Sequence, residues 1–270
     1  MRIVEFKPFE NTDGKVTAYL HSPITEMENC RRKYPVVIIC PGGAYVFVSG
    51  REYDPVALEY LSAGYNVFVL TYSIEEKARG FTPLKELSKT IMTVRENAAE
   101  WNCDPDKIAV CGFSAGGHLA ASIATMWDNP EFKKQFDTEN GLNRPNGAIL
   151  CYPVITADEF AHRLSIETVS GCAAGSDAYQ FFGLQNHVDE KTCPVFIWHT
   201  VTDDAVPVEN TLQFVSALQK NKISYECHLF PTGGHGISVC TEETGTPDEH
   251  NRQWITLSKN WLNKLFGYSL

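Results

Sequence analysis

The sequence predicts an α/β fold: a mostly parallel, doubly wound sheet with an antiparallel hairpin at its N-terminal edge. Three observations predict it. Short, unbroken apolar runs recur along the chain, as in strands buried on both faces of a parallel sheet. Segments with helical spacing of apolar residues separate them. At the start, the turn Asn11-Thr12-Asp13-Gly14 joins two strand-like segments, and Asp-Gly is a strong hairpin signal.

Residues 2–7 and 15–21 are the hairpin strands. Val36–Cys40 is a short apolar run that stops at Pro41-Gly42-Gly43, and Val67–Leu70 is another, introduced by Gly64. Residues 83–101 carry Leu84, Leu87, Ile91, Val94, Ala98 and Trp101 at helical spacing, and Pro83 suits a first turn. Ile108–Cys111 reads as a buried strand, followed by a glycine-rich turn and an apolar helix over 114–127. Ala148–Tyr152 and Val195–Trp198 are two more strands. A helix over 208–220, a last strand over Tyr225–Phe230 and a closing helix over 251–266 complete the alternation. Residues 156–192 exceed an ordinary connection and read as a cap or active-site insertion within one domain spanning 1–270.

Composition narrows the function. The 270 residues hold 33 Asp and Glu against 23 Lys and Arg, a net charge of −10. That balance argues against nucleic acid, whose phosphates need clustered cations, and against anionic membrane surfaces. No apolar run approaches the roughly 20 residues that span a bilayer. Residues 1–10 carry charges throughout and lack an apolar signal core, so the expectation is a cytoplasmic protein. The nine cysteines include no C-x-x-C pair, and Cys40, Cys111, Cys151 and Cys227 fall in or beside apolar runs. They read as small buried hydrophobes of a reduced protein. No metal-ligand cluster, phosphate loop or nucleotide fingerprint occurs, so neither metal nor cofactor is expected.

The sharpest feature is Gly112-Phe113-Ser114-Ala115-Gly116. A G-x-S-x-G sequence between a strand and a helix places a serine on a tight, strained turn, its hydroxyl projecting above the strand ends. A serine hydroxyl is a weak nucleophile and needs a base. Gly233-Gly234-His235-Gly236 follows the last strand, so His235 is the histidine placed to serve. An acid that fixes the imidazole should lie between them, and Asp203 and Asp204 both stand after the penultimate strand.

The segments PGGAY, AGYNVFVLTYS, GFSAGGHLAAS, HTVTDDAVPVENT and FPTGGHG resemble the α/β-hydrolase superfamily from about residue 34 to the C-terminus. Within it the chain resembles the acetylxylan-esterase-like and related carbohydrate esterases. The resemblance implies Asp203 as the acid, because a D-x-x-V-P phrase follows the strand-end histidine, here His199. It also puts Pro41–Tyr45 in the place of the H-G-G-G loop of lipases and esterases. The oxyanion donors it implies are the N–H groups of Gly43 and Ala115, with Ala44 as a third, and Tyr45 is a candidate wall of the acyl pocket. The implied chemistry is cofactor-free hydrolysis of small-molecule acyl esters, acetylated sugars foremost. Amide hydrolysis on the same fold, or a non-catalytic binding protein, are the competing readings. Homo-oligomerisation stays open. His118 reads as packing beneath the site, Trp198 as core, and Arg51-Glu52 as a solvated pair.

Overall fold

Eight strands form one sheet among the residues that the computed structural model describes, namely 1–22, 26 and 33–268. They are β1 (Arg2–Phe6), β2 (Lys15–Leu20), β3 (Tyr34–Cys40), β4 (Asn66–Thr71), β5 (Cys103–Phe113), β6 (Gly147–Cys151), β7 (Val195–Thr200) and β8 (Tyr225–Phe230). Their spatial order is β1-β2-β4-β3-β5-β6-β7-β8. The β1–β2 and β2–β4 pairs are antiparallel, and every other pair is parallel. This is the α/β-hydrolase architecture, with the expected antiparallel edge.

The unbroken apolar runs are explained by burial on both faces. In β3, Val36, Ile38 and Cys40 enter one core while Val37 and Ile39 enter the other. In β4, Phe68 and Leu70 face the first core, and Val67 and Val69 the second. Each such side chain contributes about 1.5–3 kcal/mol when fully buried.

The helices are α1 (Asp54–Ser62), α2 (Thr82–Glu96), α3 (Ala115–Met126), α4 (Pro130–Lys133), α5 (Arg163–Ser170), α6 (Asp177–Gln180), α7 (Glu209–Lys220) and α8 (Glu249–Phe266). α2, α3 and α7 bury Leu87, Leu119 and Phe214 in the first core. α1 and α8 bury Tyr60 and Trp254 in the second.

Several elements differ from expectation. β5 begins at Cys103, ahead of the expected Ile108, and α4, α5 and α6 carried no sequence expectation. α2 stops at Glu96 rather than running to 101. Asn97 caps it, and the chain turns through Trp101 N to Asn97 O and Cys103 N to Ala98 O, both 2.9 Å. Ala98 and Trp101 are buried from those turns, so their spacing mimics a longer helix. α1 carried no sequence expectation. Its apolar residues lie all round, with Leu58 exposed, which leaves no clear stripe.

Cys40, Cys111 and Cys151 are buried free thiols, Cys227 is partly buried, and Cys30 lies outside the described residues. Trp198 is core, stacked on Trp254 at 5.2 Å. No described helix is long and apolar enough to cross a membrane.

Candidate active site

Ser114 sits between β5 and α3 with φ 53° and ψ −117°. A non-glycine residue there stores roughly 1–3 kcal/mol of strain, held only by its surroundings. Those surroundings need glycine on either side. A Cβ on Gly112 would lie 2.1 Å from Gly116 O, and one on Gly116 would lie 2.0 Å from Cys40 O. The turn is pinned by Ser114 N donating to Cys151 O, and by His118 N and Val154 N donating to Ser114 O, each at 3.0 Å.

The serine hydroxyl meets His235, whose Nε2 is 2.7 Å from Ser114 Oγ. On the other side of the ring, Nδ1 is 2.7 Å from Asp203 Oδ2. A carboxylate offers no hydrogen, so Nδ1 carries the ring proton and Nε2 keeps a lone pair for the serine O–H. The glycine-rich loop that bears His235 is fastened rather than loose. Gly233 O accepts from both Thr200 Oγ1 and Thr202 Oγ1 at 3.0 Å.

Asp203 is the aspartate placed against His235. Its side chain is fully buried. Oδ1 accepts from Ala205 N at 3.0 Å and Val206 N at 2.9 Å, while Oδ2 also faces His199 Nε2 at 3.2 Å. Burial alone would raise its pKa. The hydrogen bonds from His199 and His235 outweigh that and hold the carboxyl well below the ordinary range. Asp204 is exposed and has no side-chain partner among the described residues.

His199 is a member of this cluster to which sequence reasoning gave no place in the site. It is wholly buried, and Nε2 faces two acceptors, Asp203 Oδ2 and Val206 O. Nε2 therefore carries a hydrogen, and Nδ1 lies 2.8 Å from Thr211 Oγ1. His199 thus helps to hold Asp203 against His235.

The loop that begins at Pro41 is built around its own turn. Val46 N and Phe47 N both bond to Gly43 O, and Ser49 N bonds to Gly42 O. The N–H groups of Gly43, Ala44 and Ala115 have no acceptor among the described residues. Gly43 and Ala44 line the cleft that contains Ser114.

Glu52 holds this loop in place, which corrects the solvated reading. It is 2% exposed, and Oε2 accepts from Gly42 N while Oε1 accepts from Tyr152 Oη, both at 2.7 Å. Tyr152 in turn accepts from Ser238 N, beyond His235 in the chain. One buried carboxyl therefore ties the loop of Gly42 to the segment that follows His235. Burial raises its pKa, against the opposing hydrogen bonds from Tyr152 and Gly42.

Tyr45 does not stand on the cleft wall where sequence reasoning placed it. It is 1% exposed, and its hydroxyl lies 2.9 Å from His118 Nδ1. Its backbone takes a positive φ of 61°, which carries the chain away from the loop. The aromatic residue at the cleft is Phe47, two positions on and half exposed. His118 is a buried support, as expected. Its Nε2 donates to Phe182 O at 3.0 Å, and burial pushes the imidazole down to about 4.

The cleft has a volume of about 180 Å³. That is below the roughly 300–1,000 Å³ of common ligand sites. His162, from the 156–192 segment, reaches its wall. Ile166, Val169, Tyr179, Phe182 and Leu184 of the same segment are buried in the main core. Among the described residues, no three His, Cys, Asp or Glu side chains converge to hold a metal ion.

A strained serine on the turn after a central strand, met by a loop histidine and a strand-end aspartate, belongs to the α/β-hydrolases. The BD-FAE family model matches residues 24–218, and the chain belongs to that family. It is 35% identical over 234 residues to endo-1,4-β-xylanase B of Butyrivibrio fibrisolvens, covering 84% of this chain and 35% of that protein. It is 31% identical over 237 residues to the acetylxylan esterase of Xylanibacter ruminicola, covering 85% and 45%. The chain thus spans less than half the length of these curated relatives. Among solved structures, an acetyl ester-xyloside bifunctional hydrolase from Caldicellulosiruptor lactoaceticus superposes with a TM-score of 0.85 at 31% identity, covering 99% of this chain and 97% of that one. A carboxylesterase from Lactobacillus plantarum gives a TM-score of 0.85 at 28% identity, covering 98% of each.

Proposed function

We propose that the chain is a serine carboxylesterase that removes short acyl groups, acetyl foremost, from water-soluble alcohols such as sugars. The observation that carries this reading is the unbroken hydrogen-bond chain Ser114–His235–Asp203 beside N–H groups that have no other acceptor.

In this mechanism Ser114 Oγ attacks the ester carbonyl as His235 Nε2 takes its proton. Asp203 keeps the imidazole in the right tautomer and stabilises the imidazolium. The negative charge that develops on the carbonyl oxygen is met by the N–H groups of Gly43 and Ala115, with Ala44 beside them. His235 then passes its proton to the departing alcohol oxygen, leaving an acyl-enzyme. A water molecule, deprotonated by His235, repeats the attack and releases the acid.

Acetyl is favoured on size and surface. Phe47 offers an apolar face beside the oxyanion loop, and the cleft is small. Most apolar side chains of the 156–192 segment are already spent on the core, so the segment offers no broad greasy face to lipid. The names of the relatives, an acetylxylan esterase and an acetyl ester hydrolase, support the same substrate class.

An aryl ester series from acetyl to decanoyl tests the reading. Each methylene contributes about 0.8 kcal/mol of burial only where a pocket receives it. Turnover is expected to be fastest for acetyl, to fall with chain length, and to show no jump as substrate passes its solubility limit. A maximum at octanoyl or beyond, or activation at the interface, contradicts it. Faster cleavage of a matched acetanilide than of the ester would move the chain to amide hydrolysis.

A further inference from the structure

Arg51 stands at the cleft with an unused guanidinium. It is exposed and lines the cleft together with Ser114 and His235. A Cβ on Gly236 would lie 2.8 Å from its Nη2 and 3.3 Å from its Cζ. The guanidinium therefore rests against the residue that follows His235, and the absent side chain of Gly236 makes room for it.

Some described arginines are occupied. Arg2 pairs with Glu100, Arg252 pairs with Glu59, and Arg95 binds backbone carbonyls. Arg51 has neither an ion pair nor a side-chain hydrogen bond among the described residues. Arg79 and Arg163, which do not line the cleft, have no side-chain hydrogen bond or ion pair there either. Among the described residues that line the cleft, the one with a carboxyl group is Glu52. Glu52 lies within the electrostatic reach of Arg51, but both of its oxygens are engaged by Gly42 N and Tyr152 Oη. A cation without a partner, at the mouth of the site of a chain with net charge −10, is set to receive an anion from outside.

The mechanism says which part of the substrate meets it. His235 hands its proton to the leaving oxygen, so the alcohol departs along the histidine loop. The Arg51 guanidinium rests against that loop at Gly236. We infer that Arg51 forms a subsite for a carboxylate on the alcohol portion, and that the preferred substrates are short acyl esters of acidic alcohols. The guanidinium fork matches a carboxylate in two parallel hydrogen bonds. A hydroxy acid and an acidic sugar share this chemistry.

This inference rests on the esterase reading, and the experiment separates the two. Acetate release is measured for two matched pairs: O-acetylglucuronate against O-acetylglucuronamide, and O-acetyl-lactate against O-acetyl-lactamide. Phenyl acetate serves as the general ester. The wild type should favour the acid over the amide by about tenfold in kcat/KM in at least one pair, with the ratio falling as salt is raised. Arg51→Gln should bring that ratio close to one, and Arg51→Lys should keep part of it. The ratio cancels any loss common to both substrates. A preference confined to the sugar pair assigns an acidic sugar, and one confined to the lactate pair assigns a hydroxy acid. Hydrolysis of phenyl acetate with no acid preference in either pair, or with a preference that survives Arg51→Gln, overturns the inference and leaves the esterase standing. No hydrolysis of any ester overturns both.

Discussion

Ser114→Ala is expected to lower ester turnover by about 10⁶-fold, the scale seen when a serine nucleophile is removed from an intact triad. What remains is the catalysis supplied by the oxyanion donors and by binding. The loss should be chemical and not structural. Alanine tolerates φ 53° no worse than serine does, and the backbone bonds that pin the turn, to Cys151, His118 and Val154, do not involve the hydroxyl. The melting temperature of the variant should stay within a few degrees of the wild type while hydrolysis of an aryl acetate disappears. A variant that melts normally and retains more than about one part in a hundred of the turnover is incompatible with serine attack.

The second large effect separates neighbouring aspartates. Asp203→Asn should cost about 10⁴-fold in kcat, because an amide can donate to the imidazole and favour the wrong tautomer. The change also sets an amide N–H against His199 Nε2–H or against the N–H groups of Ala205 and Val206, all of which now point at carboxylate oxygens. Asp204→Asn should change kcat by less than about twofold, since that side chain is exposed and unpartnered among the described residues. Side-by-side kcat values, with circular dichroism to verify folding, decide it. An inactive Asp204 variant beside an active Asp203 variant would reverse the assignment.

The sheet was readable because its strands are buried on both faces. Val36–Cys40, Val67–Leu70 and Ile108–Cys111 leave no polar face to confuse them with loops. α1 was not readable, because nine residues with apolar side chains on all sides give no stripe. The placement of Ser114 and His235 was legible because each lies among glycines at a strand end, where few other conformations fit. Asp203 needed the family resemblance, since charge and position alone do not distinguish it from Asp204.

What was hidden depends on contacts far apart in sequence. Glu52 looks like one half of a solvated Arg-Glu pair, yet Tyr152, 100 residues away, takes it into the interior. His199 entered the sequence reading only as a marker for Asp203, and its contacts show only when Asp203 and Thr211 are seen around it. Phe47 stands at the cleft where Tyr45 was expected because positive φ values at Ala44 and Tyr45 turn the loop, and neither residue type announces that.

Serine catalysis requires Ser114 Oγ to be the atom that attacks. A fluorophosphonate reacts covalently with an activated serine and stops at that adduct. After incubation with the native chain, intact-mass measurement should show one phosphonyl group per chain, with loss of aryl acetate turnover in proportion. Peptide mapping should place the group on Ser114, and the Ser114→Ala chain should take up none. Full turnover from unlabelled protein in excess reagent, or an inactivating adduct on any other residue, would contradict the assignment.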